Sequence, residues 1–175
     1  MVRACEVHKD TPLVRVPDCQ PSTILRFMDT GAHGLHAPWV QTADQARQVV
    51  RSVKYEPEGN RGLGGVRAGG FMFGQSFADY CRVANEQTFV VVQIETVTAL
   101  EQLPEIAMVE GVDALFIGPT DLSHSFGFPG EIEMPQVQRA MQHIAECCRT
   151  QRSGRGNTRY GQAVKRSPTN GIPGS

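Results

Sequence analysis

Two carboxylates, a guanidinium and a carboxamide recur where an α/β protein gathers its chemistry. Glu95 closes the apolar run FVVVQI, with Gln93 inside it, and Asp121 follows ALFI in the stretch GPTDLS. Arg15 lies at the end of TPLVRV. A carboxylate directly behind a buried run is costly unless it is paired or binds a cation. Read singly, Glu95 is a helix-capping or ion-pairing acid, and Asp121 caps a turn or a short helix. Read together, at neighbouring strand ends, they make a pair of hard oxygen ligands suited to Mg2+, Mn2+ or a similar divalent ion. Arg15 puts a fixed positive charge on the same rim, either to hold a carboxylate and steady an oxyanion or as the ion-pair partner of one of the acids. The turn at Gly118 and Pro119 offers backbone N–H groups to a small anion.

These residues need elements to bring them together. Short apolar runs over residues 11–16, 34–40, 89–94 and 114–117 read as strands. The third is almost continuously apolar, as in a parallel strand covered on both faces. Helical periodicity over residues 22–29, 43–53, 76–85 and 135–149 falls between and after them. Thr42 with Gln45 forms a capping-box pattern, and a helix from Thr98 gains a second one from Glu101. Residues 55–75 are glycine-rich and irregular. Strands alternating with helices mean a parallel sheet or barrel, whose chemistry gathers at the C-terminal strand ends.

Other candidates fall away. RGLGGVRAGG lacks the GxxxxGK[ST] spacing of a phosphate loop. His8, His33, His36, His124 and His143 show no metal spacing, though His124 lies close to Asp121 in sequence. The five cysteines are odd in number and form no CxxC pair, as for reduced thiols in a cytoplasmic protein. No apolar run is long enough to span a bilayer.

Net charge is −1, which gives no general attraction to nucleic acid or an anionic membrane. That charge is uneven. Residues 1–150 hold 12 basic and 18 acidic residues, and residues 151–175 hold five basic and no acidic ones. The tail is rich in Gly, Ser, Arg and Pro and is expected to be disordered. A nucleic-acid arm is the less favoured reading, since only Tyr160 there supports stacking.

The motifs DTPLVRVP, MDTGAHGLHAPWVQTADQAR, KYEPEGNRG and QIETVTALEQLPEIAMVEGVDALFIGPTDLSHSFG resemble the HpcH/HpaI class II aldolases, over about residues 1–149. These include 4-hydroxy-2-oxoheptanedioate and 2-keto-3-deoxy sugar acid aldolases. The resemblance implies an α/β fold, a partial (β/α)8 TIM barrel of the phosphoenolpyruvate/pyruvate type with the third to sixth strands present. It implies a lyase that releases pyruvate from a 2-keto-4-hydroxy acid, with Mg2+, Mn2+ or Co2+ held by Glu95 and Asp121. It further implies that Arg15 faces the pyruvate oxygens, that Gln93 lines the site, and that the backbone of Gly118, Pro119, Thr120 and Asp121 receives the carboxylate. A small 2-keto acid as substrate and a homo-oligomer, trimer or hexamer, are expected on the same ground.

Against that family pattern, the segment carrying a proton-transfer histidine is expected to precede this chain. The basic tail from residue 150 stands where the last two strands would be, as a shifted frame or unspliced message would produce. Many relatives carry His where this chain has Trp39. Two further readings stand beside the aldolase: an inactive fragment or non-catalytic partner of a full-length homologue, and a citryl-CoA-lyase-like or phosphoenolpyruvate-using enzyme on the same fold.

Overall fold

The computed structural model describes residues 1–72 and 76–154. Four strands, β1 (Leu13–Arg15), β2 (Gly34–Ala37), β3 (Phe89–Ile94) and β4 (Ala114–Ile117), form one sheet in the order β1-β2-β3-β4, every pair parallel. The connections are helical. α1 (Val2–Val7) precedes β1, α2 (Pro21–Met28) follows it, and α3 (Ala43–Val53) follows β2. α4 (Phe77–Gln87) leads into β3; α5 (Val97–Glu101) and α6 (Leu103–Ala107) follow it. α7 (Pro119–Ser125) and α8 (Pro135–Gly154) follow β4. This is the parallel series expected from the alternating pattern.

Register sorts the side chains by face. Leu35 pairs with Val90 and Val92 with Leu115, and all four are buried in the core shared with Ile24, Val49, Ile106 and Ile144 of the helices. Each such aliphatic side chain, fully withdrawn from water, contributes roughly 2 kcal/mol before entropy is charged. Strand residues alternate between faces. So Arg15, His36, Val91, Gln93 and Phe116 share the opposite face, in the register Arg15 to His36 to Val91 and Gln93 to Phe116. That face leads up to the carboxylates.

Most boundaries follow the expected chemistry. The capping box of Thr42 and Gln45 is present at the start of α3. Three expectations change. The second capping box is absent: α5 starts two residues early, capped by Thr96, whose Oγ1 accepts from the Ala99 N–H at 3.1 Å. Pro104, lacking an N–H, then divides the helix into α5 and α6. α8 runs to Gly154 rather than ending at residue 149, and the rest of the tail, expected to be disordered, lies outside the described residues. α1 is six residues long and has no fully buried residue, with only Val2 packed against the core, so it is too short to show a periodicity.

The irregular segment after α3 is pinned by polar bonds. Tyr55 N–H donates to Asn85 Oδ1, and Asn85 Nδ2 to Tyr55 O, both at 2.8 Å. Arg61 pairs with Asp29 at 2.9 Å. A short 3-10 turn, Arg67–Met72, follows within the segment.

Candidate active site

Glu95 is the first residue after β3 and is fully buried. Its Oε1 accepts the main-chain N–H of Trp39 at 2.7 Å. Its Oε2 accepts from Nε2 of Gln93, itself a buried residue of β3. Asp121, in the first turn of α7, lies within hydrogen-bonding reach of Glu95. Two acids expected at neighbouring strand ends therefore do meet.

Their meeting has an electrostatic cost. Burial pushes the Glu95 carboxyl well above the usual carboxylate range. The Trp39 N–H opposes the rise, the adjoining Asp121 adds to it, and the charge of Arg15 offsets part of it. Arg15, exposed at the end of β1, directs Nε towards Oε1 of Gln93 at 3.5 Å, the long limit of a hydrogen bond. Gln93 thus spans the guanidinium and the carboxylate, with its oxygen on one and its nitrogen on the other.

Gly118 makes this close packing possible. A Cβ there would stand 2.6 Å from Nε2 of Gln93 and 2.8 Å from Oε2 of Glu95. Pro119 follows at the first turn of α7, where a missing N–H costs nothing. The first backbone bond of that helix runs from the Leu122 N–H to Gly118 O at 2.9 Å, which leaves the amides of Thr120 and Asp121 ahead of it. Thr120 is exposed, and its carbonyl accepts from Ser123 Oγ at 2.7 Å. His124 is exposed in the last turn of α7.

Two further residues take part. The backbone of Trp39, rather than its side chain, holds Glu95. It does so at φ +55°, a left-handed conformation that bulky residues rarely adopt and that tends to mark functional sites. His36 lies on the same face beneath Gln93, tilted against Phe116 at 4.6 Å, with Nε2 buried and unpartnered. Burial first, and then Arg15, lower its pKa, while Gln93 opposes them. Nothing local in the sequence announces a positive φ at a tryptophan. The strand period does place His36 on the inner face.

The donor set fits a hard divalent cation. Two adjoining carboxylates, one fully buried, are held together at a cost that a cation between them would offset. Among the described residues no cluster of three or more His, Cys, Asp or Glu side chains converges. Two protein carboxylates with positions left for water and substrate oxygens is the arrangement Mg2+ favours.

A model of the HpcH/HpaI aldolase/citrate lyase family matches residues 1–154. The chain belongs to this family. It is 44% identical over 132 residues to a 5-keto-4-deoxy-D-glucarate aldolase of Klebsiella pneumoniae, covering 75% of this chain and 51% of that one. It is 41% identical over 141 residues to a 4-hydroxy-2-oxo-heptane-1,7-dioate aldolase of Escherichia coli, covering 81% and 53%. Among solved structures, an HpcH/HpaI aldolase/citrate lyase family protein from Burkholderia cenocepacia superposes with TM-score 0.81 at 36% identity, covering 86% of this chain and 60% of that one. The four-stranded parallel sheet is accordingly part of a TIM-barrel-type fold. The chain spans about half the length of the curated relatives it matches.

Proposed function

We propose that this HpcH/HpaI chain carries the pyruvate site of a metal-dependent class II aldolase. The reaction is cleavage of a 2-keto-4-hydroxy acid to pyruvate and an aldehyde. The observation that carries the reading is the contact of buried Glu95 with Asp121 at the C-terminal strand ends, with Arg15 and Gln93 beside it. The names of the aligned aldolases support the reaction class.

Glu95 and Asp121 are the residues that hold the ion. A bound Mg2+, Mn2+ or Co2+ supplies Lewis acidity towards the carboxylate and keto oxygens of pyruvate. Arg15 adds a fixed positive charge where the keto oxygen gains electron density as the carbon–carbon bond breaks. Gln93 sets the spacing between Arg15 and Glu95. Beyond Gly118 and Pro119, the amides of Thr120 and Asp121 receive the pyruvate carboxylate. The substrate is a small 2-keto acid, and no part of this scheme calls on nucleic acid or a membrane. Among the described residues no helix is long and apolar enough to cross a membrane.

No lysine enters the scheme. Lys54 is buried at the opposite rim, where Nζ donates to Thr88 O at 2.9 Å and to Asn85 O. Lys9 stands before β1, and Lys165 lies outside the described residues. β1 and β4 each leave one edge unpaired among the described residues, the edges that further strands of a closed barrel would pair.

The test is pyruvate release from several 4-hydroxy-2-oxo acids by the purified chain, with Mn2+ and then with chelator. Chelation is expected to stop release, and Glu95→Gln or Asp121→Asn to lower kcat/KM by about a hundredfold or more. No release from any of these substrates by the metal-loaded chain, or release indifferent to both substitutions, contradicts the proposal. The family description also includes citrate lyases, which favours one second reading, a citryl-type substrate at the same carboxylates. Cleavage of such a substrate in place of the 4-hydroxy-2-oxo acids would select it.

A further inference from the structure

Beside Glu95, on the same rim, a cavity of about 380 Å3 opens between the loop after β1 and the loop after β2, against the start of α3. It adjoins the carboxylates through two residues. Trp39 lines it with an indole that is 53% exposed, while its backbone N–H holds Glu95. Cys19 lines it with a thiol that donates to Pro38 O at 3.1 Å and lies close enough to Glu95 to feel its charge. The volume suits a small organic ligand rather than a single water.

The lining has a definite chemistry. Oδ1 of Asp18 accepts the Gln20 N–H at 2.8 Å, which leaves Oδ2 as an acceptor. Oε1 of Gln45 accepts the N–H groups of Gln41 and Thr42 at 2.7 and 3.3 Å, which leaves its amide nitrogen as a donor. Nε2 of Gln48 donates to Cys19 O at 3.4 Å, which leaves its oxygen as an acceptor. None of the lining residues is basic. A hydroxyl both donates and accepts, so it meets every one of these groups. A terminal carboxylate meets the charge of Asp18 with no basic side chain in the lining to compensate.

We propose that this cavity is the subsite for the aldehyde portion of the substrate, and that it selects a hydroxylated, uncharged chain over one ending in a carboxylate. Calling the ligand an aldehyde rests on the aldolase reading; the preference for hydroxyl over carboxylate follows from the lining.

Trp39 is the only tryptophan in the chain, so its fluorescence reports on this cavity. The experiment titrates the full chain with D-glyceraldehyde and with succinic semialdehyde, in the absence of metal and pyruvate. D-Glyceraldehyde is expected to give a saturable change at a concentration at least about tenfold lower than succinic semialdehyde. Gln48→Arg is expected to reverse that order, and the exposed Asp18→Asn to narrow the gap, with circular dichroism unchanged. Equal affinities, no saturable change with either aldehyde, or a ratio unmoved by Asp18→Asn and by a folded Gln48→Arg overturns the proposal. Because the titration needs neither metal nor turnover, its failure is distinguishable from failure of pyruvate release.

Discussion

The main-chain N–H of Trp39 donates to Oε1 of Glu95 over 2.7 Å, from a backbone at φ +55°. A strained residue on one strand end thereby fixes a buried carboxylate on the next. What the carboxylate needs from Trp39 is the N–H and the left-handed turn, both of which glycine supplies without strain. Trp39→Gly is therefore expected to keep cation affinity within about twofold, and Trp39→Pro, which has no N–H, to weaken it about tenfold. Calorimetric titration with Mn2+ checks both. An equal loss in the two variants would show that the indole, not the backbone, holds the site.

Glu95 also links the site to stability. Its pKa is raised in the folded chain, chiefly by burial. Between the ordinary carboxylate pKa and the raised one, the folded state binds more protons than the unfolded state, so stability falls as pH rises through that window. The metal-free chain is expected to melt at a lower temperature at pH 8 than at pH 5.5, to regain stability at pH 8 on adding Mn2+, and to show a flatter pH profile as Glu95→Gln. Thermal melts across pH measure this, and an unchanged slope in Glu95→Gln would contradict it.

Gly118→Ala tests the packing. Gly118 sits at φ −98°, so alanine meets no backbone penalty there and the effect is steric. The new Cβ would drive Gln93 and Glu95 apart. Cation affinity is expected to fall about tenfold or more with a smaller change in melting temperature. Titration and melting on the same sample separate the two effects, and unaltered affinity would show that the site has room to spare.

Lys54 tests the lysine-independent scheme. Its Nζ is spent on the carbonyls of Thr88 and Asn85, and burial lowers its pKa. Lys54→Met is expected to destabilise the chain by about 1–3 kcal/mol through the unpaired carbonyls, and to leave cation binding intact. Borohydride treatment with pyruvate is expected to leave no adduct, as read by mass spectrometry. A reduced adduct on Lys54 would indicate Schiff-base chemistry instead.

Much of this arrangement was legible in the residues. The continuous apolar runs of β3 and β4 are buried on both faces, so their ends could be read without a structure, and Glu95 and Asp121 lie just beyond them. The Thr42–Gln45 box is local chemistry and was equally plain. Long-range placement was not. The hold of Trp39 on Glu95 spans 56 positions and depends on a rare φ. The helix after β3 departs from the start expected at Thr98 because Pro104 and the cap at Thr96 outweigh that motif. α1 is not legible in the sequence because six residues are too few to show a helical period.

The most direct test of the central claim is binding of oxalate, a mimic of the pyruvate enolate, followed by calorimetry with and without Mn2+. The account predicts that oxalate binds only when Mn2+ is present, that Glu95→Gln or Asp121→Asn each abolishes this binding, and that Arg15→Lys weakens it. Oxalate binding that is equally tight without metal, or that survives loss of both carboxylates, would contradict it.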